Sequence, residues 1–248
     1  MSNCVLEIAA GSVADVQAAQ SGGADRIELN CGLELGGLTP TIGLLFEVQR
    51  TTTLPIIAMA RPRPGGFCCN DGEFRTMQRD IDLMLDAKVD GVAFGCLLTS
   101  GEIDQAVCRI ILQLIGKRGV AVFHRAFDLT PDPHAALETL ITLGFRRVMT
   151  SGQKTTALEG ADLIADLIRQ AKGRIEVMPA GGIKPEHVRE LIDRTGCTQV
   201  HAGLRRRIGR SPGGEIRFGS NDDGRHEAVD ENLIREMRHR MKVSGSHP

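Results

Sequence analysis

Short runs of apolar residues alternate along the chain with longer segments in which apolar residues recur every three to four positions. The short runs predict β-strands, and the longer segments predict amphipathic helices. Successive strands lie about 28 residues apart, which fits one strand–helix unit, and eight such units form a closed barrel rather than an open sheet. The eight predicted strands are Val5–Ile8, Arg26–Leu29, Ile56–Ala60, Gly91–Phe94, Val120–Phe123, Arg147–Thr150, Ile175–Met178 and Gln199–His201. The pattern therefore predicts an α/β fold of the (β/α)8 TIM-barrel type.

Capping residues mark the predicted starts of several helices. Thr39 and Thr130 each precede a proline, so each is predicted to be an N-cap with proline at the first helical position. Asn70 is followed three residues later by Glu73, which predicts a capping box. Ser12 is predicted to cap the first helix.

No linker divides the chain, so residues 1–243 are predicted to form a single barrel domain. Residues 209–224 are rich in Gly, Ser, Arg and Asp and are predicted to form a long loop after the eighth strand. The amphipathic segment 230–241 is predicted to be the helix that closes the barrel, and residues 244–248 a terminal tail.

Composition narrows the range of partners. The formal net charge is −1, and Trp and Tyr are both absent, which argues against nucleic-acid binding. No apolar run approaches the roughly 18 residues of a membrane span, and the first residues lack the pattern of a signal peptide. We therefore expect a cytoplasmic protein without nucleic-acid or membrane partners, whose seven cysteines are free thiols.

The functional face of such a barrel is the one where the strands end, so polar residues there are candidates for catalysis. Glu7 and Glu28 lie within mainly apolar strands, and His124 and Asp128 follow the fifth strand. An ionised Glu inside a barrel must be paired or must shift its pKa. These four residues are the candidate catalytic groups, for proton transfer by Glu or His with Asp128 orienting His124 or pairing with an arginine. The alternative is a buried ionic network that only stabilises the barrel.

A second set of strand-end residues is suited to an anionic ligand. Glycine pairs near a helix start expose backbone N–H groups, and barrels of this kind commonly bind phosphate after strands seven and eight. Arginines at neighbouring strand ends add positive charge and are candidate partners of the buried glutamates. The candidate ligand-binding residues are Arg61, Arg63, Arg125, Ser151, Gly181, Gly182, His201 and Gly203.

Four of the seven cysteines, Cys31, Cys68, Cys69 and Cys96, fall on adjacent loops at the same face. Thiolates are soft ligands that suit Cu(I), so these four form a candidate metal site. No Cys-x-x-Cys pair is present, and incidental thiols are the alternative reading. No organic cofactor is indicated.

The strand-end motifs together resemble the CutC family. They are LEI, GADRIELNCGLELGGLTP, RPR, DGVAFG, FHRAFD, TSG with TALEG, and MPAGGI, and the resemblance runs over nearly the whole length. It implies a TIM barrel that binds Cu(I) in the cytosol, acts in copper homeostasis and forms a homo-oligomer. The residues that match the family pattern are Glu7, Glu28, Arg61, Arg63, His124, Arg125, Asp128, Ser151 and Gly181.

The cysteine positions differ from the family pattern. The resemblance implies one cysteine two residues after the first-strand Glu and another directly after Ile-Glu-Leu, but this chain has Ala9 and Asn30 there. Cys31 comes one residue later, and a shift of one position at a strand end can turn the side chain away. Two functions therefore remain open. The first is copper handling through Cu(I) binding. The second is a barrel enzyme that acts on a small anionic or phosphorylated metabolite through its Arg, Glu and His cluster.

Overall fold

The computed structural model describes residues 4–209 and 226–242, and its centre is an eight-stranded parallel sheet. The strands are β1 (Val5–Ala10), β2 (Arg26–Leu29), β3 (Ile56–Met59), β4 (Gly91–Phe94), β5 (Val120–Phe123), β6 (Arg147–Thr150), β7 (Glu176–Pro179) and β8 (Gln199–Ala202). Each neighbour pair from β1 to β7 is parallel, and β8 pairs with β1. A parallel bridge between Ala180 and His201 closes the ring. The predicted TIM barrel is confirmed.

Helices connect the strands and form the outer layer of the described chain. They are α1 (Val13–Gly22), α2 (Ile42–Thr51), α3 (Asp71–Asp86), α4 (Gln105–Ile115), α5 (Pro133–Leu143), α6 (Ala161–Ala171), α7 (Pro185–Thr195) and α8 (Glu231–Lys242). No helix in the described ranges is long and apolar enough to cross a membrane.

The predicted capping is confirmed at α1 and α3. Ser12 accepts from the Asp15 N–H, and Asn70 forms a capping box with Glu73. The predictions for Thr39 and Thr130 were wrong by two residues, because other groups use these hydroxyls. Thr39 accepts from the Arg61 N–H, so α2 begins after Thr41, and Thr130 donates to the Phe127 carbonyl, so α5 begins after Asp132.

A short antiparallel pair follows the eighth strand of the barrel. It consists of β9 (Arg205–Ile208) and β10 (His226–Val229). Arg205 donates to the buried Asp15 carboxylate, so this ribbon is tied to the first helix. Apart from Gly209, the predicted loop 209–224 lies outside the described residues, as does the predicted tail 244–248.

The inside of the barrel has two chemically distinct sectors, because alternate residues of each strand point inward. One sector is an apolar cluster contributed by β3 to β7 and the residue after β7; it contains Ile57, Met59, Ala93, Val122, Met149, Met178 and Ala180. The other is polar and is contributed mainly by β1, β2 and β8; it contains Glu7, Arg26, Glu28, Gln199 and His201. A larger apolar core fills the space between the barrel and its helices. The polar sector therefore lies on the side of the barrel formed by β2, β1 and β8.

Candidate functional site

A cavity of about 360 Å³ opens at the end of the barrel where the strands finish. We call it the barrel-mouth cavity. Eight of the predicted catalytic and ligand-binding residues line it: Glu28, Arg61, His124, Arg125, Gly181, Gly182, His201 and Gly203. The predicted residues that do not line it are Glu7, Arg63, Asp128 and Ser151. The strand-end residues thus converge on one concave site.

The register of the barrel places Glu7 between Arg26 on β2 and His201 on β8. Arg26 Nε donates to Oε2 of Glu7, and His201 Nδ1 donates to Oε1 of Glu7 at 2.8 Å. The expectation that Arg61, Arg63 or Arg125 would pair with Glu7 was wrong. Arg26 lies two residues before Glu28, so both side chains point inward on the same strand, and that spacing was visible in the sequence.

Glu28 joins the buried polar contacts of Glu7, Arg26 and His201 at the floor of the cavity. Its Oε2 accepts from Asn30 Nδ2 at 3.2 Å and lies 3.8 Å from His201 Nε2. Its Oε1 is buried and has no hydrogen-bond partner among the described residues. Glu28 therefore has one hydrogen-bonded oxygen and one buried oxygen without a partner.

The surroundings of Glu7 and Glu28 shift the pKa values of the two carboxyl groups in opposite directions. Burial alone would raise the pKa of Glu7, but the His201 hydrogen bond and the Arg26 charge lower it to about 2. Burial raises the pKa of Glu28 to about 7, against the opposing charge of His201. Burial would lower the pKa of His201, but Glu28 and Glu7 raise it overall. At neutral pH, Glu7 is an anion and Glu28 exchanges between its two forms.

Glu7, Glu28 and His201 offer donor atoms that lie within 4.8 Å of one another, which is a candidate cation cluster. The fit to a resident metal is poor, because both oxygens of Glu7 already accept from Arg26 and His201. Arg26 already compensates the carboxylate charge, and an added cation would compete with it. We assign no metal to this cluster.

His124 is buried in the cavity wall, where its ring packs 4.9 Å from that of Phe67. Nδ1 accepts from the Ala126 N–H at 3.2 Å, so Nε2 carries the proton. Burial and the charge of Arg61 lower the pKa of His124 to about 3. The imidazole is therefore neutral and acts as a hydrogen-bond donor through Nε2 rather than as a base.

Asp128 does not orient His124. It pairs with Arg125 at 2.8 Å and accepts from the Ser151 N–H and hydroxyl, which ties the β5 and β6 loops together. Arg125 also donates to the Ser151 hydroxyl at 2.8 Å. Asp128 and Ser151 therefore hold the Arg125 guanidinium at the rim of the barrel-mouth cavity.

Arg61 and Arg63 have different environments although they are two residues apart. Arg61 is buried, and it donates to the carbonyls of Leu35, Gly37 and Gly65. Arg63 pairs with Glu73 and donates to carbonyls of its own loop, including that of Cys68. Arg63 therefore orders the loop before α3 instead of facing the barrel-mouth cavity.

Gly181 and Gly182 form the turn after β7 with φ values of +106° and +63°. A Cβ atom at position 181 would lie 3.0 Å from Cζ of Arg125, and one at position 182 would lie 2.8 Å from Cγ2 of Thr156. Glycine therefore suits position 181 mainly through its backbone conformation, and position 182 mainly because a Cβ atom there would clash with Thr156.

Two of the four predicted metal-binding cysteines are in contact. The Sγ atoms of Cys69 and Cys96 are 3.8 Å apart, and Cys69 Sγ lies 3.6 Å from Sδ of Met77. We call Cys69, Met77 and Cys96 the sulfur cluster. Cys31 donates to the Thr39 carbonyl, and Cys68 is exposed. Met77 was not predicted as a ligand, because its helical spacing is also that of an ordinary core residue.

The thiols of the sulfur cluster differ in acidity. A hydrogen bond from Cys96 lowers the pKa of Cys69, and the charge of Arg63 adds to this effect. The same contact and burial raise the pKa of Cys96. Cys69 is therefore the thiol that ionises first.

The model of the CutC family matches residues 4–205. The chain belongs to the CutC family. It is 49% identical over 208 residues to a CutC family protein of Treponema denticola, with 84% of each chain covered. It is 45% identical over 201 residues to a human protein named copper homeostasis protein cutC homolog, with 81% of this chain and 73% of the human chain covered. The predicted family membership is confirmed.

Solved structures agree with the family assignment. The crystal structure of CutC from Streptococcus agalactiae has a TM-score of 0.76 at 30% identity, with 80% of this chain and 97% of that chain covered. Phosphoribosylanthranilate isomerase from Thermotoga maritima has a TM-score of 0.58 at 14% identity, with 96% of this chain and 98% of that chain covered. The second likeness concerns the fold alone.

Proposed function

We propose that this CutC family protein acts in copper homeostasis by binding Cu(I), and that the sulfur cluster is the binding site. The observation that carries the proposal is the contact of two thiols and one thioether in a protein whose human relative is named for copper homeostasis. Thiol and thioether ligands are the soft donors that select Cu(I) over harder cations.

The distances within the sulfur cluster support this assignment. A metal–sulfur bond of about 2.3 Å, as thiolates form with Zn²⁺, places neighbouring ligand sulfurs roughly 3.8 to 4.0 Å apart. The separations of 3.8 Å and 3.6 Å are close to this value. Cys69 and Met77 also border a small cavity of about 10 Å³. Only small shifts of the side chains would be needed to enclose one ion.

The chemistry of the thiols also supports it. Cu(I) binds thiolates, and the lowered pKa of Cys69 favours that form. Cys96 and Met77 are buried, which keeps water and oxidants away from a bound ion. The family positions occupied here by Ala9 and Asn30 offer no thiolate, so the sulfur cluster would replace a site at those positions.

A Cu(I) competition titration against a chromogenic chelator under anaerobic conditions tests the proposal. The reduced protein is expected to withdraw one Cu(I) per chain, and the Cys69→Ser/Cys96→Ser variant is expected to withdraw none. Met77→Leu, which keeps the volume but removes the thioether, is expected to weaken binding. The matched control is Cys31→Ser/Cys68→Ser, which removes two other predicted thiols and is expected to bind as the unmodified protein does.

Two outcomes would overturn the proposal. The first is that the unmodified protein does not compete with the chelator, and the second is that all three variants compete as well as the unmodified protein does. Loss of binding only in the control variant would move the site to Cys31 and Cys68.

We further infer that the protein resides in the cytosol and associates with copies of itself. All seven cysteines are free, which fits a reducing compartment.

Phe46 on α2 and Leu83 on α3 are about half exposed, and such residues often cover an interface. Sedimentation should give a mass above the 26.8 kDa of one chain, and Phe46→Glu/Leu83→Glu should lower it. A monomeric unmodified protein would contradict self-association.

A further inference from the structure

Two buried polar groups that lack a complete set of partners line the barrel-mouth cavity. Oε1 of Glu28 and Nε of Arg61 have no hydrogen-bond partner in the described parts of the chain. Buried polar atoms are normally satisfied, so these two atoms at the wall of the cavity need a partner from outside the described chain, such as a ligand or a water molecule. The two groups differ in chemistry, since one is an acid and the other a permanent cation.

Arg61 has a positive charge that no carboxylate neutralises within residues 4–209 and 226–242. Its terminal nitrogens donate only to the backbone carbonyls of the surrounding loops. Buried charges are usually paired, because removing them from water is costly. The charge acts on the cavity wall, where it helps to lower the pKa of His124. An anion in the cavity would supply the missing partner.

Arg125 and the turn at Gly181–Gly182 extend this anion site. Arg125 is held at the cavity wall by Asp128 and Ser151, and its guanidinium packs on Gly181. The turn at Gly181–Gly182 carries no side chains, so a phosphate can approach its backbone N–H groups closely. Two guanidinium groups and such a turn are suited to a phosphate more than to a single carboxylate.

We propose that the barrel-mouth cavity is the active site of an isomerisation, in which a small phosphorylated α-hydroxy carbonyl compound binds and Glu28 moves a proton between the two neighbouring carbons that bear the carbonyl and the hydroxyl. The cavity of about 360 Å³ has room for a molecule of this class. The site is separate from the sulfur cluster and does not depend on the proposed copper binding.

The proton balance of this step is closed. The ionised Glu28 carboxylate takes a proton from the carbon next to the carbonyl, and the C–H electron pair becomes the C=C bond of an enolate. The enolate oxygen accepts a hydrogen bond from Nε2 of the neutral His124. The hydroxyl on the carbon that lost its proton passes its own proton to the enolate oxygen, which becomes a hydroxyl, and the oxygen that gave it up becomes the new carbonyl oxygen. Glu28 returns its proton to the former carbonyl carbon, so the product is an isomer and no co-reactant is consumed.

The electrostatics suit these roles. A pKa of about 7 leaves Glu28 able to accept and donate a proton at neutral pH, which is the best range for a general acid–base group. His201 and Glu7 face Glu28 from β8 and β1. The charge of His201 lowers the pKa of Glu28, and the charge of Glu7 raises it. Neutral His124 can donate a hydrogen bond without first losing a proton.

Proton exchange in heavy water tests the proposal. Dihydroxyacetone phosphate, ribulose 5-phosphate and fructose 6-phosphate serve as probes, with a chelator present, and proton NMR follows the loss of the C–H signal next to the carbonyl. At least one probe should exchange with the unmodified protein and raise its melting temperature. Glu28→Gln should slow exchange by at least about 100-fold and still show the thermal shift.

Two further variants separate binding from chemistry. Arg125→Met should lose the thermal shift and the exchange together, whereas Arg125→Lys should keep part of both. The matched control is Glu47→Gln, a change on the exposed face of α2 that should alter neither. No exchange with any probe would overturn the proposal. Equal exchange by Glu28→Gln and the unmodified protein would also overturn it, since the proton would then be moved by another group or a contaminant.

Discussion

The Sγ atom of Cys69 lies 3.8 Å from the Sγ atom of Cys96, although 27 positions separate the two residues along the chain. Cys69 precedes α3, and Cys96 follows β4, so the closed barrel brings neighbouring strand-end loops together. Met77 adds a thioether from the first half of α3. The chain thus builds a three-sulfur cluster without a Cys-x-x-Cys motif.

Alkylation should distinguish the cysteines of this face. Cys69 has a lowered pKa and is only partly buried, so we expect it to react with iodoacetamide much faster than Cys96. Prior loading with Cu(I) should protect Cys69 and leave the exposed Cys68 reactive. Mass spectrometry of the digested protein measures the alkylation of each cysteine with and without Cu(I), and Cys68 is the internal control. Equal labelling of Cys69 with and without Cu(I) would count against metal binding there.

Acid stability should depend on Glu7. Its pKa is lowered in the folded state from 4.5 to about 2, so its stabilising effect is present above pH 4.5 and is lost as the pH falls towards 2. A shift of this size corresponds to about 3 kcal/mol in the free energy of unfolding. Glu7→Gln should therefore flatten the loss of stability between these pH values.

Urea unfolding at several pH values measures the effect of Glu7. The control is the exposed Glu47→Gln, which should reproduce the pH dependence of the unmodified protein. If Glu7→Gln kept the full acid slope, the Arg26 and His201 contacts would not stabilise the Glu7 anion.

Arg61 should be more important for stability than Arg63. Arg61→Ala removes donors to three loop carbonyls, and we expect the free energy of unfolding to fall by about 3 kcal/mol. Arg63→Ala affects a solvent-screened pair with Glu73 and should have a clearly smaller effect. Parallel urea titrations of the two variants make the comparison. An equal fall in the free energy of unfolding of both variants would mean that the buried contacts of Arg61 stabilise the protein no more than the exposed contacts of Arg63 do.

Gly181→Ala tests the turn beside Arg125. The methyl group would meet the guanidinium, and the backbone would stay at a φ of +106°, so we expect a loss of about 1 to 3 kcal/mol. Gly144→Ala is a matched control, because its φ is also positive but its Cβ would meet nothing within 4 Å. Thermal unfolding of both variants separates backbone strain from the clash. If Gly181→Ala lost less stability than Gly144→Ala, that result would contradict the close contact between Gly181 and the Arg125 guanidinium.

The regular spacing of apolar runs made the barrel predictable, since eight strands in sequence leave few other architectures. Convergence of Glu28, His124 and Arg125 followed from the rule that strand ends share one face. Residues outside the strands were harder to place. Thr39 and Thr130 were predicted as N-caps but use their hydroxyls elsewhere, and only the three-dimensional contacts decide that competition.

The partners of the buried glutamate depended on strand register. Glu7 pairs with Arg26 because the two residues are opposite each other on β1 and β2, and their spacing along the chain does not specify that pairing. Met77 could not be predicted as a ligand from the sequence, for a different reason. A methionine at helical spacing is usually a core residue, and Met77 became a candidate ligand only when Cys69 was found beside its sulfur.

X-ray absorption at the copper edge tests the central claim most directly. The protein is loaded anaerobically with one Cu(I) per chain, and its spectrum is compared with that of Met77→Leu. The sulfur cluster predicts a first shell of sulfur only, at about 2.3 Å, with one sulfur fewer in the variant. A first shell of nitrogen or oxygen would contradict the account, because it would place the ion on a site such as Glu28 and His201 instead.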